Sequence, residues 1–276
     1  MRRMPRPRPI VFLSDFGLGN EWVGLCHAVM SGIAPESPIV DLSHLIRPLE
    51  VTSGALLLAD STPYLPEDAV ILGVVEPNVG KDREIAVETV SGRILVGPDN
   101  GLLSLAWEAA DGVRTAVEIT STSVLRPIHA ESFRAPDTLC PATAHLAAGT
   151  PIADLGTELD PASLAVVTLA APELEQGRIS CEVIDFNRFG NVQLNVRPDD
   201  LLAADLDGAA ALQVEAVSGA ATARFGRTYA DFDSGEYGAL FDPRGWLTLV
   251  RGNPASALEG LGLSLAAPVW LTRPDV

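Results

Sequence analysis

The chain has 276 residues, 47% hydrophobic and 20% charged, which is ample for one large domain or two modest ones around a filled core. Its formal net charge is −17 and Lys81 is its single lysine, so nucleic acid and anionic membranes are poor partners and a cationic small molecule is a better one. No run of about 18 apolar residues occurs, so no membrane-spanning helix is expected.

Residues 1–8 are basic and proline-rich and read as a flexible arm; the apolar run behind them is too short for a signal-peptide core, and the expected location is cytoplasmic. Residues 9–13 form an apolar run that fits a buried strand and stops at Asp15-Phe16-Gly17. Residues 21–33 are apolar almost all round, as in a helix pressed on a sheet, and residues 38–42 read as a second buried strand ending at Asp41 to His44. In such a strand–helix–strand unit a ligand sits beyond the carboxyl ends of the strands, where Asp15 stands.

A helix is expected over 49–61, closed by Pro63 and Pro66, then a buried strand over 69–75 ending at Glu76. A hairpin follows, 85–90 and 93–96 about a Ser91-Gly92 turn. The turn 97–101 leads into a helix over 102–109, and 113–119 reads as a strand. Residues 120–136 read as irregular, and Asp137 as the cap of a helix reaching Ala148. Residues 151–174 are a proline- and alanine-rich connector. Beyond it short strand-like runs recur (179–184, 190–196, 212–217, 247–250, 268–272) with little helical periodicity, which predicts a small antiparallel β domain. The expected boundaries are an α/β domain over 9–165 and a β domain over 166–276.

Cys26, Cys140 and Cys181 lie far apart with no CxxC pair and read as buried reduced thiols. The four histidines have no metal-ligand spacing, so no metal is expected; His44 and His145 read as satisfied core histidines. Asp15 fits either a turn or N-cap aspartate, or an acceptor for both hydroxyls of a vicinal diol such as a ribose. Glu76 and Arg83 fit either a surface salt bridge or a charge pair at the same crevice.

Five segments in order resemble one family, the S-adenosylmethionine (SAM) hydroxide adenosyltransferases, related to fluorinase and chlorinase. They are LSDFGLGNEWVGLCHAVMSGIAPESPIVDLSH, VVEPNVGKDRE, VGPDNGLLS, SFRAPDTLCPATAHLAAG, and IDFNRFGNV with TYADFDSGEYGALFDPRGWLTLVRGN. The resemblance implies an α/β/α sandwich with a mostly parallel sheet followed by a small C-terminal antiparallel β-barrel. It also implies a homotrimer with sites at subunit interfaces, and SAM as substrate rather than cofactor. A nucleophile displaces methionine at ribose C5′. Sulfonium is already a good leaving group, so the protein's work is positioning and desolvation.

By the same resemblance Asp15 binds the ribose diol, Asn20 stands near the methionine end, and Tyr229 packs on adenine, with Asn191 and the backbone to Asn253 at its edge. Arg244 takes the methionine carboxylate and Asp185 its ammonium, although the chain has at least one more residue between Asp185 and the FGN triplet than its relatives. Glu76 and Arg83 keep the seven-residue spacing of the hydrolases' aspartate–arginine pair, while Arg134 replaces their histidine. Arginine cannot act as a base, which leaves Glu76 to orient or deprotonate a water. Two arginines against one glutamate would leave a net positive pocket able to accept an anion. Attack by water, giving adenosine and L-methionine, is the expected reaction. The alternatives are chloride or another anion, giving a 5′-substituted deoxyadenosine, and a SAM- or adenosine-binding protein without turnover.

Overall fold

A computed structural model describes residues 7–274, so most of the expected arm lies outside the described residues. The chain divides into two compact units after Val167. The first contains β1 (Ile10–Ser14), α1 (Trp22–Ile33), β2 (Ile39–Ser43), α2 (Val51–Ser61), β3 (Val70–Val74), β4 (Glu84–Thr89), β5 (Ile94–Pro98), α3 (Ser104–Glu108), β6 (Val113–Ile119), α4 (Leu139–Ala147) and β7 (Gly156–Leu159). Its strands order as β2-β1-β3-β5-β4-β6-β7. Pairs among β2, β1, β3 and β5 are parallel; β5–β4, β4–β6 and β6–β7 are antiparallel, so the sheet is mixed.

Strand alternation puts two cores on the sheet's two faces. Ile10 and Phe12 of β1 meet Cys26 and Met30 of α1 and Leu139 and Cys140 of α4 on one face. Val11 and Leu13 meet Leu58 of α2 and Ala106 and Trp107 of α3 on the other. This is the expected α/β/α sandwich, with four local differences. β2 is an edge strand, paired on one side only, and is half exposed rather than buried. α1 buries Cys26 and Met30, but its apolar outer face is open, with Trp22 40% and Leu25 46% exposed. The proline-rich connector contributes edge strand β7. Asp137 does not cap α4, whose N-cap is Thr138; its carboxylate instead accepts the backbone N–H of His129 at 2.7 Å.

The second unit holds β8 (Glu173–Glu175), β9 (Arg178–Phe186), β10 (Val192–Leu194), α5 (Pro198–Ala203), β11 (Ala211–Ala216), β12 (Gly219–Phe225), β13 (Tyr237–Phe241), β14 (Leu247–Arg251), α6 (Ala257–Gly260) and β15 (Pro268–Thr272). The ring β10-β14-β13-β12-β11-β15-β9 closes through the β9–β10 pair, a seven-stranded barrel with β8 added outside. Its interior is filled by alternate residues such as Val192, Leu194, Leu212, Val214, Leu249 and Leu271. The barrel is antiparallel except for β12–β13, which is parallel. β8, β12, β13, α5 and α6 are not evident in the sequence. Cys26, Cys140 and Cys181 are all buried and unbridged. No helix of the described residues is long and apolar enough to cross a membrane.

Candidate active site

On the first unit, the carboxyl ends of β1 and β3 deliver Asp15 and Glu76. Asp15 follows β1; its N–H donates to Val74 O at 3.3 Å and its Oδ2 accepts the N–H of Leu49 at 2.9 Å. That bond holds Leu49 at a φ of +69°, a left-handed conformation that costs a branched side chain about 1–2 kcal/mol. Asn20 stands just before Glu21, the N-cap of α1: its Oδ1 accepts the N–H of Trp22 at 3.1 Å and its Nδ2 donates to Phe16 O at 3.1 Å.

Glu76 Oε1 accepts the N–H of Gly80 at 3.2 Å. Burial raises its carboxyl above the ordinary range; the charges of Asp82 and Asp15 add to that, while the Gly80 N–H and Arg134 oppose it. Arg134 is shared. Its Nε lies 4.0 Å from Glu84 Oε1, and its guanidinium lies against Gly80. Glu84, the first residue of β4, is 9% exposed and accepts the Thr138 hydroxyl at 2.8 Å. Burial again raises its carboxyl, as does Glu76, against Thr138 and Arg134.

Arg83 does not join this group. Its Nε and Nη2 donate to Asp99 Oδ2 at 3.1 and 2.5 Å, and Nη2 also donates to Ser163 O at 3.0 Å. The cause is register. Glu84 pairs with Pro98 across β4–β5, so Arg83 faces Asp99 one step beyond. The spacing of Glu76 and Arg83 therefore does not make them an ion pair, and the expected excess of positive charge is not there. Glu76 and Glu84 share one guanidinium, with Asp15 and Asp82 adding to the negative side.

Sequence reasoning missed Glu84, Thr138 and an aromatic wall. Phe16, Trp22 and Phe133 meet edge to face or tilted, with ring centroids 5.4–5.8 Å apart. They join the Asp15 turn, the start of α1 and the segment carrying Arg134. Three potential metal ligands also converge, although their spacing gives no sign of it: His27, Asp41 and His44.

On the second unit Asn191, Tyr229 and Asn253 line one cavity of about 290 Å³, together with Asn187, Phe189 and Phe232. Asn187 organises its rim, its Oδ1 accepting the N–H groups of Phe189 at 2.9 Å and Asn191 at 3.2 Å. The residues after Asp185 are thus taken up in a tight turn, with Gly190 at a φ of +74°. Tyr229 is 56% exposed in a turn tied by Asp231, whose Oδ2 accepts the N–H groups of Arg227 and Thr228 at 2.7 and 2.9 Å.

Asp185 and Arg244 do not line that cavity. Asp185 faces Gln193 across β9–β10, and Gln193 Nε2 donates to Asp242 Oδ2 at 2.6 Å. Asp242 in turn accepts the backbone N–H of Arg244 at 2.9 Å, and the Arg244 Nε lies 3.6 Å from it. Asp185, Gln193, Asp242 and Arg244 thus form one polar strip on the barrel's outer side. An acid, an amide and a guanidinium in that order can take the ammonium and carboxylate of an amino acid.

Residues 10–156 match the SAM hydroxide adenosyltransferase N-terminal domain, and residues 181–269 match the C-terminal domain. A protein of Thermus thermophilus named (R)-S-adenosyl-L-methionine hydrolase is 37% identical over 272 residues, covering 96% of this chain and 99% of that one. A hydrolase of the same name from Salinispora tropica is 40% identical over 189 residues, 68% of this chain and 72% of its own. Among solved structures, an uncharacterized conserved protein of Thermotoga maritima superposes with a TM-score of 0.86 at 28% identity, covering 96% of this chain and all of its own. The two-domain match, at this identity and coverage, places the chain in the SAM hydroxide adenosyltransferase family.

Proposed function

We propose that the protein cleaves SAM at ribose C5′ with water as nucleophile, releasing adenosine and L-methionine. The water oxygen bonds to C5′ as the C5′–S bond breaks, the sulfonium sulfur keeps the bonding pair as methionine's neutral thioether, and the water's proton leaves by way of Glu76. Asp15 accepts the ribose hydroxyls and Asn20 lies toward the methionine end. Tyr229 covers adenine, with Asn191 and the segment to Asn253 at its edge; Asp185 and Arg244 hold the amino-acid ammonium and carboxylate. Arg134 balances Glu76. Arg83 acts on the site through Asp99, as part of its frame.

The observation that carries water over halide is the charge balance. One guanidinium faces the buried carboxylate of Glu84 and the half-buried one of Glu76, with Asp15 close by, a setting that attracts a cationic sulfonium and repels a small anion. A carboxyl raised by burial is also a better proton acceptor than an ordinary one. The names of the hydrolase relatives point the same way.

Purified protein given SAM in water enriched in ¹⁸O, with and without chloride, fluoride or phosphate, tests this. Adenosine and methionine should appear in equal amounts, the label in the 5′ hydroxyl, and the rate should be indifferent to added anions. A 5′-halogenated or phosphorylated nucleoside would replace water as the nucleophile. Stabilisation by SAM with no product would reduce the protein to a binder. The homotrimer with sites at subunit interfaces and the cytoplasmic location belong to the same proposal; light scattering that gives a mass other than three chains would remove the first.

A further inference from the structure

We infer that His27, Asp41 and His44 form a binding site for one divalent transition-metal ion of the zinc, nickel or cobalt type. Asp41 Oδ1 stands 2.7 Å from His27 Nε2 and 3.1 Å from His44 Nε2, and one ligand atom from each residue lies within 4.8 Å of the others. His27 comes from α1, Asp41 from β2, and His44 from the turn after it. Two imidazole nitrogens and a carboxylate oxygen suit borderline ions, whereas magnesium and calcium prefer oxygen alone.

His44 distinguishes this group from an ordinary hydrogen-bonded triad. Its side chain is 2% exposed, packed on Phe12 with centroids 4.6 Å apart. Its Nδ1 is 2.8 Å from Ser14 Oγ, which also accepts the N–H of Phe16 at 3.3 Å. That hydroxyl can donate to Nδ1, which leaves an Nε2–H facing Asp41, or accept from an Nδ1–H, which turns the Nε2 lone pair to Asp41; the second tautomer is the one a metal needs, and such a contact at the far nitrogen is the outer support that metal-bound histidines usually have. The His44 Nε2 lies 3.1 Å from Asp41 Oδ1 but makes no well-aligned hydrogen bond among the described residues. A buried nitrogen in a poorly aligned contact with a carboxylate, beside a second imidazole on the same oxygen, is a ready ligand for a cation between them.

The site is reachable, because the His27 and Asp41 side chains are 32% and 44% exposed, leaving room for entry and for water in the remaining positions. Bonds of about 2.0–2.2 Å in a tetrahedron separate ligand atoms by about 3.3 Å. Loading would therefore lengthen the His27–Asp41 separation by about 0.6 Å and the His44–Asp41 separation by about 0.2 Å. An ion here would tie α1 to β2, and the His44 carbonyl, which accepts the Gly17 N–H at 2.7 Å, joins it to the turn carrying Asp15.

The test uses the tag-free full chain, stripped with chelator and desalted, titrated calorimetrically with zinc and nickel and followed by visible absorption with cobalt. The parent protein should take up about one ion per chain, melt at higher temperature when loaded, and give cobalt ligand-field bands. His27→Ala and Asp41→Asn, both at partly exposed positions, should weaken binding at least tenfold, by roughly the margin that even outer-shell changes cause. His129→Ala, which alters a different His–Asp pair, should bind as the parent does. Failure of the parent to bind any of the three ions stoichiometrically, or undiminished binding by His27→Ala, would overturn the assignment.

Discussion

Replacing Asp15 by alanine tests the grip on the sugar. Its Oδ2 already accepts the Leu49 N–H, while its Oδ1 has no partner among the described residues. One hydroxyl of a vicinal diol thus meets an unused carboxylate oxygen and the other shares an oxygen with Leu49. A hydrogen bond to a charged group is worth about 1.5–3 kcal/mol, and the shared one less, so the pair amounts to about 2–4 kcal/mol, or roughly 30- to 700-fold in Kd. Calorimetric titration of Asp15→Ala with adenosine and with 2′,3′-dideoxyadenosine isolates this term. Adenosine should lose that factor and the dideoxy nucleoside should lose almost nothing, because it brings no hydroxyls to the carboxylate. Loss of the Leu49 bond costs a further 0.5–1.5 kcal/mol or so of stability in both cases, measured separately by urea unfolding. Equal weakening of the two nucleosides would mean that Asp15 shapes the turn and does not touch the sugar.

Three further outcomes follow from other parts of the molecule. Burial holds the Glu84 carboxyl above its ordinary range, so it favours folding in acid and loses that contribution as pH rises through its folded value; Glu84→Gln should then be at least as stable as the parent near about pH 7 and lose its advantage below the ordinary carboxylate range, and a clearly weaker variant in neutral urea melts would mean that the Arg134 pair outweighs burial. Tyr229→Ala should leave unfolding within about 0.5 kcal/mol of the parent, since the side chain is largely exposed, yet cost adenosine about 1–3 kcal/mol of affinity, a typical base–aromatic contribution. A Cβ at Gly97 would stand 2.5 Å from the Gly73 carbonyl oxygen, where β5 passes β3; neither backbone can give way cheaply, and Gly97→Ala should cost about 1–3 kcal/mol in the same melts.

The elements legible in the sequence are those whose burial is decided by apolar runs alone. β1 and β3 are covered on both faces, and their runs end within a residue or so of the observed strands. β2 (IVDLS) differs from β1 (IVFLS) only in Asp41 where β1 has Phe12, and that one acid is too little to announce its place at the sheet edge. β12, with alanines, a threonine and an arginine, is held by its neighbours' hydrogen bonds more than by its own residues, so no β-branched run announces it. The cavity on the second unit was legible as far as Asn191, Tyr229 and Asn253, and only through the family resemblance; Phe189 and Phe232 were not, since an aromatic in a turn has no pattern of its own.

The charge at the first unit's site was illegible for a different reason. Arg83 stands seven positions after Glu76, and nothing in that interval tells whether the chain brings them together. The decision is made by the hairpin that begins directly after Arg83 and closes β4 on β5. Its register sets Arg83 opposite Asp99 and turns Glu84 toward Thr138 and Arg134. Slipping one strand by a single residue would exchange the faces of Arg83 and Glu84 and convert a pocket with two carboxylates into one with two guanidiniums. The proposed preference for water over an anion thus rests on the β4–β5 register. Asp99→Asn tests it: the variant keeps the hairpin and one acceptor but leaves the Arg83 charge uncompensated. It should make the site more tolerant of anions, read as inhibition of SAM turnover by chloride that the parent does not show. Equal indifference to chloride in both proteins would mean that the Arg83 charge does not reach the reacting carbon.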